Sequence, residues 1–107
     1  MAFDTYDRAR DLLRALRPLI ERLNTHDTEL AKQLRKSAGK IPAQIAEANR
    51  RRGKDRTHLF VCALGEAAEI GGHLDAAVDL GYLDEADVAA AAELADRVRA
   101  LTYHASH

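Results

Sequence analysis

The residues whose type and spacing best suit chemistry are five cations within seven positions: Arg50, Arg51, Arg52, Lys54 and Arg56, opposed inside the run by Asp55. Guanidinium forks and an ammonium can neutralise phosphates, as bidentate pairs or as point charges. No aromatic residue is interleaved to stack on bases, since Phe60 belongs to an apolar stripe. Contact with a nucleic-acid backbone, and not sequence-specific readout, is therefore what the run could supply. Lys32, Arg35, Lys36 and Lys40 could extend the patch if the fold brings them to the same corner. A run of like charge can equally be a solvated face, or pair with an acidic surface elsewhere.

A second constellation lies downstream, where Cys62, Glu66, Glu69 and His73 fall close to one face of a helix. Carboxylate-bridged metal sites in helical bundles use Glu-x-x-His pairs on two helices, with further Glu from two others. Here Glu69 and His73 are four apart and no second helix repeats a Glu/His pair, so no metal site is expected. Cys62 reads as a packing residue, and Ser37, Thr57 and Ser106 lack an evident base and orienting partner. No His-Glu-x-x-His, Walker loop or dinucleotide fingerprint is present. His104 and His107 near the end of the sequence read as solvated. The expectation is no catalytic residue, no cofactor and no enzymatic activity.

Four helical segments must position these groups. From about Asp4 to Leu23, Tyr6, Leu12, Leu13, Leu16, Leu19, Ile20 and Leu23 recur at helical spacing. Pro18 is expected to kink or split this helix, because it lacks an N–H and clashes with the preceding turn. After the turn Asn24–Asp27, a second helix capped by Asp27 or Thr28 runs to about Asn49, with Leu30, Leu34, Ala38, Ile41 and Ile45 as its stripe. Gly39 and Pro42 interrupt it, and a bend near Lys40–Ile41 is expected. Arg50 to Lys54 makes a basic corner containing Gly53.

The third helix runs from about Asp55 to Leu80 and carries two lines. Phe60, Leu64, Ala67, Ile70, Leu74 and Val78 form the large one. Val61, Gly65, Ala68, Gly72 and Ala76 form a line of small residues that would permit close approach, either inside the bundle or between subunits. Gly81 suits a left-handed C-cap position and Asp84 an N-cap, and the last helix runs from about Glu85 to Tyr103. Short connections imply antiparallel neighbours, so residues 1–107 are read as one all-α domain, an antiparallel up-down four-helix bundle.

Composition agrees. The chain has 107 residues, 47% hydrophobic and 31% charged, with two Pro and no Trp, which excludes disorder and disfavours a β-sandwich. One Cys excludes an internal disulfide and a cysteine-rich zinc site. No apolar run approaches the roughly 18 residues of a membrane span, and the first residues lack a signal peptide's apolar segment. A cytoplasmic protein with no membrane partner is expected. The net charge is −1, but residues 1–62 hold 14 Lys/Arg against 8 Asp/Glu and residues 63–107 hold 2 against 9. A protomer polarised in this way could offer a basic surface to phosphate, or pair its unlike halves between subunits.

Three stretches carry a resemblance: Lys40-Ile-Pro-Ala-Gln-Ile-Ala-Glu-Ala-Asn-Arg-Arg-Arg-Gly-Lys, Ala63-Leu-Gly-Glu-Ala-Ala-Glu-Ile and Leu80-Gly-Tyr-Leu. Over residues 38–83 their order and spacing resemble the four-helix bundle proteins encoded in intervening sequences of bacterial 23S rRNA genes. Ile41, Pro42, Ile45, Ala46 and Glu47 match the signature core of that family. Arg51 and Arg52 match its basic pair, Gly65 and Glu69 its third-helix positions, and Gly81 and Tyr82 its turn. Gln44, Ala48, Gly53 and Glu66 depart from the usual Asn, Gly, Ser and small residue. The resemblance implies a ring-like homopentamer acting as a scaffold. It extends to the accessory variability determinant of diversity-generating retroelements, which implies RNA or a reverse-transcriptase-like protein as partner. On this reading Arg50, Arg51, Arg52, Lys54 and Arg56 hold nucleic acid, and Gly65, Ala68 and Gly72 lie at a subunit interface. Pro42 and Glu47 keep a structural role. The alternative is a self-assembling protein without nucleic-acid binding.

Overall fold

The computed structural model describes residues 2–107, with side chains described from Asp4 onward; Met1, part of the expected domain, lies outside the described residues. Four α-helices follow one another: α1 (Ala2–Leu23), α2 (Thr28–Ala48), α3 (Gly53–Asp79) and α4 (Glu85–Ser106). α1 packs against α2 and α4, and α3 packs against α2 and α4, so each helix touches its neighbours around a square. Connections this short reverse the chain each time, which gives the antiparallel up-down bundle. It measures 43 × 22 × 19 Å.

The core is large on one side and small on the other. α1 and α2 contribute Leu12, Leu16, Leu23, Leu34, Ile41 and Ile45, all fully buried. α3 and α4 answer with Phe60, Ile70, Leu74 and Val98, separated by the buried alanines Ala63, Ala67, Ala77, Ala91 and Ala95. The small side chains let α3 and α4 run close together. Leu64 and Val78 of the large line on α3, and Leu94 and Leu101 of α4, are only half-buried at the edges of the core, and alanines take the central positions.

Neither proline ends a helix. α1 is continuous through Pro18 and α2 through Gly39 and Pro42, so neither helix is split. Pro18 is exposed. The carbonyl one turn before it, on Arg14, loses its helical N–H partner on a face open to water, so packing of the rest of α1 outweighs the local penalty. α3 begins two residues earlier than expected and α4 ends three residues later.

The turns follow local chemistry. The Asp27 carboxylate accepts the Leu30 N–H at 2.9 Å and caps α2. α3 ends in a Schellman arrangement. The Gly81 N–H donates to the Val78 carbonyl and the Tyr82 N–H to the Ala77 carbonyl, both at 2.9 Å, with Gly81 at φ +79°. At the start of α4 the Asp87 carboxylate accepts the Asp84 N–H at 3.0 Å and an Arg22 guanidinium bond at 3.1 Å. It thereby ties the first turn of α4 to the end of α1. Gly81→Ala should place a Cβ in the left-handed region and lower stability by about 1 kcal/mol. Urea unfolding checks this, and an unchanged midpoint would contradict the assigned cap.

Candidate functional site: a basic corner at one end of the bundle

α2 and α3 are joined by only Asn49–Arg52. The Asn49, Arg50 and Arg51 N–H groups donate back to the Ile45, Glu47 and Ala48 carbonyls at 2.9, 3.0 and 3.1 Å. Gly53, at φ +60°, turns the chain into α3. The corner is built from the same residues that carry its charge, and they divide into two groups.

Two of the five cations are committed to the fold. Arg56 donates from Nη1 to the Ala48 carbonyl at 3.1 Å, and its guanidinium lies 4.9 Å from the centre of the buried Phe60 ring. Arg51 reaches back one turn to Glu47: Nε donates to Oε1 at 2.8 Å and Nη2 donates to the same oxygen. The hydrogen bond and charge of Arg51 hold the Glu47 carboxyl below the usual carboxylate range, and Glu47 raises Arg51 in return. Arg50, Arg52 and Lys54 are exposed, and among the described residues their side chains make no hydrogen bond or ion pair. Glu47, Arg50 and Arg51 line an open concavity of about 400 Å³.

Lys40 does not join this corner. It lies two turns up α2 and approaches Glu66 of α3 at 3.7 Å. Lys32, Arg35 and Lys36 are exposed still further along the same helix.

The antiparallel threading adds a group that linear reading missed. The C-terminal turn of α4 ends at the same end of the bundle as the α2–α3 corner. Tyr103, 50% exposed, stacks on His107 with ring centres 4.0 Å apart and planes at 25°. His104 meets Tyr103 edge-on at 6.0 Å. These aromatic rings are about fifty positions from the arginines in sequence, so no local motif joins them; only the helix directions do.

The small line on α3 faces outward. Val61, Gly65, Ala68 and Gly72 are exposed, and an added Cβ at Gly65 or Gly72 would meet nothing within 4 Å. Among the described residues, none packs closely against Gly65 or Gly72 from within the protomer. Cys62, Glu66, Glu69 and His73 do not converge either. Cys62 Sγ lies 3.5 Å from His58 Nε2, Glu69 Oε1 lies 3.3 Å from His73 Nε2, and Glu66 turns toward Lys40. Among the described residues no three His, Cys, Asp or Glu side chains come together as a metal-holding group. An apolar groove of about 420 Å³ between α1 and α2, floored by Leu13, Ile20 and Ala38, carries Arg17 and Arg35 on its rim. None of the described helices is long and apolar enough to cross a membrane.

The fold and corner together define an all-α bundle with a charged end. Residues 1–104 match the family described as 23S rRNA-intervening sequence protein, and the chain belongs to that family. A crystal structure from Bacteroides thetaiotaomicron, titled as a protein with unknown function from the S23 ribosomal protein family, superposes with a TM-score of 0.86. The two chains are 20% identical over 95% of this one and 97% of that one, a likeness that establishes the shared fold. No curated protein matches the chain.

The Glu47–Arg51 pair has a measurable signature. Because the folded carboxyl titrates below its unfolded value of about 4.3, its contribution to stability is present above that pH and is lost as pH falls through the folded value. Carboxyl NMR should show Glu47 titrating below the usual carboxylate range, and Arg51→Gln should return it to that range. A Glu47 titration that Arg51→Gln leaves unmoved would contradict the pair.

Proposed function

We propose that this protein is a non-enzymatic, homo-oligomeric scaffold of the cytoplasm, pentameric as its sequence resemblance implies, that engages RNA or an RNA-associated protein through the basic corner. The observation that carries this reading is the trio Arg50, Arg52 and Lys54, exposed and without side-chain partners among the described residues at one end of the bundle. Arg51 and Arg56 shape the corner and add to its field. Such a surface neutralises phosphates and reads no sequence by itself. The reading needs no cofactor and no metal.

The test separates the two groups of arginines. Arg50→Glu with Arg52→Glu should abolish binding to RNA at moderate salt while leaving helicity unchanged, because neither residue supports the fold. For wild type, three phosphate contacts on a single strand should give a slope of about −2 in log affinity against log salt. Binding unaltered by the double reversal would refute the assignment.

A second reading is favoured by the outward line of α3: self-assembly is itself the function, without nucleic acid. Gly65, Ala68 and Gly72 leave a shallow strip where another helix can approach closely, and none of the described residues lies over Gly65 or Gly72. Gly72→Leu should then lower the assembly mass in light scattering while the isolated bundle keeps its helicity. A variant with wild-type mass would place the interface elsewhere.

A further inference from the structure

We infer that the C-terminal turn of α4 and the basic corner form one platform for single-stranded RNA: Tyr103 with His107 takes an unpaired base, and Arg50, Arg52 and Lys54 hold the flanking phosphates. This rests on the RNA reading above and narrows it to unpaired strand.

Three observations carry it. The first is placement. α3 and α4 pack on one another in opposite directions, so residues 103–107 close the bundle at the end where α3 begins. The bundle's two short dimensions are 22 and 19 Å, so the aromatic turn and the cations lie toward the same end of a narrow bundle, within the span of one short oligonucleotide. The second is the aromatic pair itself. Tyr103 is exposed, stacked on His107 at 4.0 Å and flanked edge-on by His104. His107 is held by its own backbone neighbourhood: Nδ1 lies 2.9 Å from the Tyr103 carbonyl, within hydrogen-bond distance as donor. A ring pair fixed in this way loses little freedom when a base stacks on it.

The third is the contrast with the opposite end. A second stacked pair, His26 and Tyr82, joins the α1–α2 and α3–α4 turns with centres 5.5 Å apart. It sits among Asp79, Asp84 and Glu85, all exposed, which would repel a phosphate backbone. At the basic end the acidic groups are Asp4, Asp7, Glu47 and Asp55. Glu47 is neutralised by Arg51, and Asp4 lies 4.0 Å from Arg8. Among the described residues, only one end of the bundle therefore combines an aromatic platform with surplus positive charge. A base can use such a platform only when it is unstacked, which excludes the interior of a duplex.

The chain lacks Trp and has three Tyr, so stacking on Tyr103 is visible as quenching of tyrosine fluorescence. The probes are oligouridine of about 12 nucleotides, within the span of known single-strand sites, the deoxy oligomer of equal length, and an RNA duplex. Wild type should bind the single strand with quenching. Tyr103→Leu should weaken single-strand binding by at least about fivefold, remove that quenching and leave duplex binding unchanged. Tyr103→Phe should retain the affinity. Stronger binding of the ribose than of the deoxyribose oligomer assigns RNA, and equal binding assigns unpaired strands of either sugar. Single-strand binding that Tyr103→Leu leaves intact, or a preference for duplex, overturns the platform while the RNA reading stands. Failure of wild type to bind any probe overturns both.

Discussion

The Ala48 carbonyl holds the basic end of this molecule together. α2 stops there, and a helix of 27 residues must start again after four. A carbonyl oxygen has two lone pairs, and both are used: the Arg51 N–H donates to one at 3.1 Å and the Arg56 guanidinium to the other at 3.1 Å. Arg56 can do so because its planar face rests on Phe60, which is wholly buried. The corner is thus anchored from the core outward. The residues left over by that anchoring, Arg50, Arg52 and Lys54, are the ones directed to solvent.

The bundle is also electrically polarised along its length. The basic residues crowd where α2 hands over to α3, while the other end gathers Asp79, Asp84, Glu85 and Asp87 around the α3–α4 turn. Arg22 bridges to Asp87 across that end and lowers its carboxyl below the usual range. A protomer with unlike ends and an outward strip of small residues on α3 suits heterologous contacts, which close into rings when the rotation between copies permits. Assembly and phosphate binding would then use different surfaces, and neither would obstruct the other.

Much of this was legible in the sequence. The helical stripes of α1 and α2 are strongly periodic, and Leu12, Leu16, Leu34, Ile41 and Ile45 are buried as their spacing requires. Asp27, Gly81 and Asp84 marked the turns because each has a local chemical task. Pro18 does not split α1, because a proline rule describes one missing hydrogen bond, whereas packing along a whole helix decides whether it continues. On α3 the alanines and glycines lie on every face, so periodicity alone could not say whether Gly65 and Gly72 point in or out. The pairing of Arg51 with Glu47 follows from their four-residue spacing on a helix. The placement of Tyr103 toward the same end of the bundle as the arginines has no such local origin and emerges only from the antiparallel threading.

The most direct test of the account is light scattering on the purified chain after size exclusion, with absorbance followed at two wavelengths. With no Trp and three Tyr, protein absorbance is low and retained nucleic acid stands out. The account predicts a mass of several protomers of 11.8 kDa carrying a nucleic-acid signal that high salt removes. A single protomer with protein absorbance alone, at low salt, would contradict it.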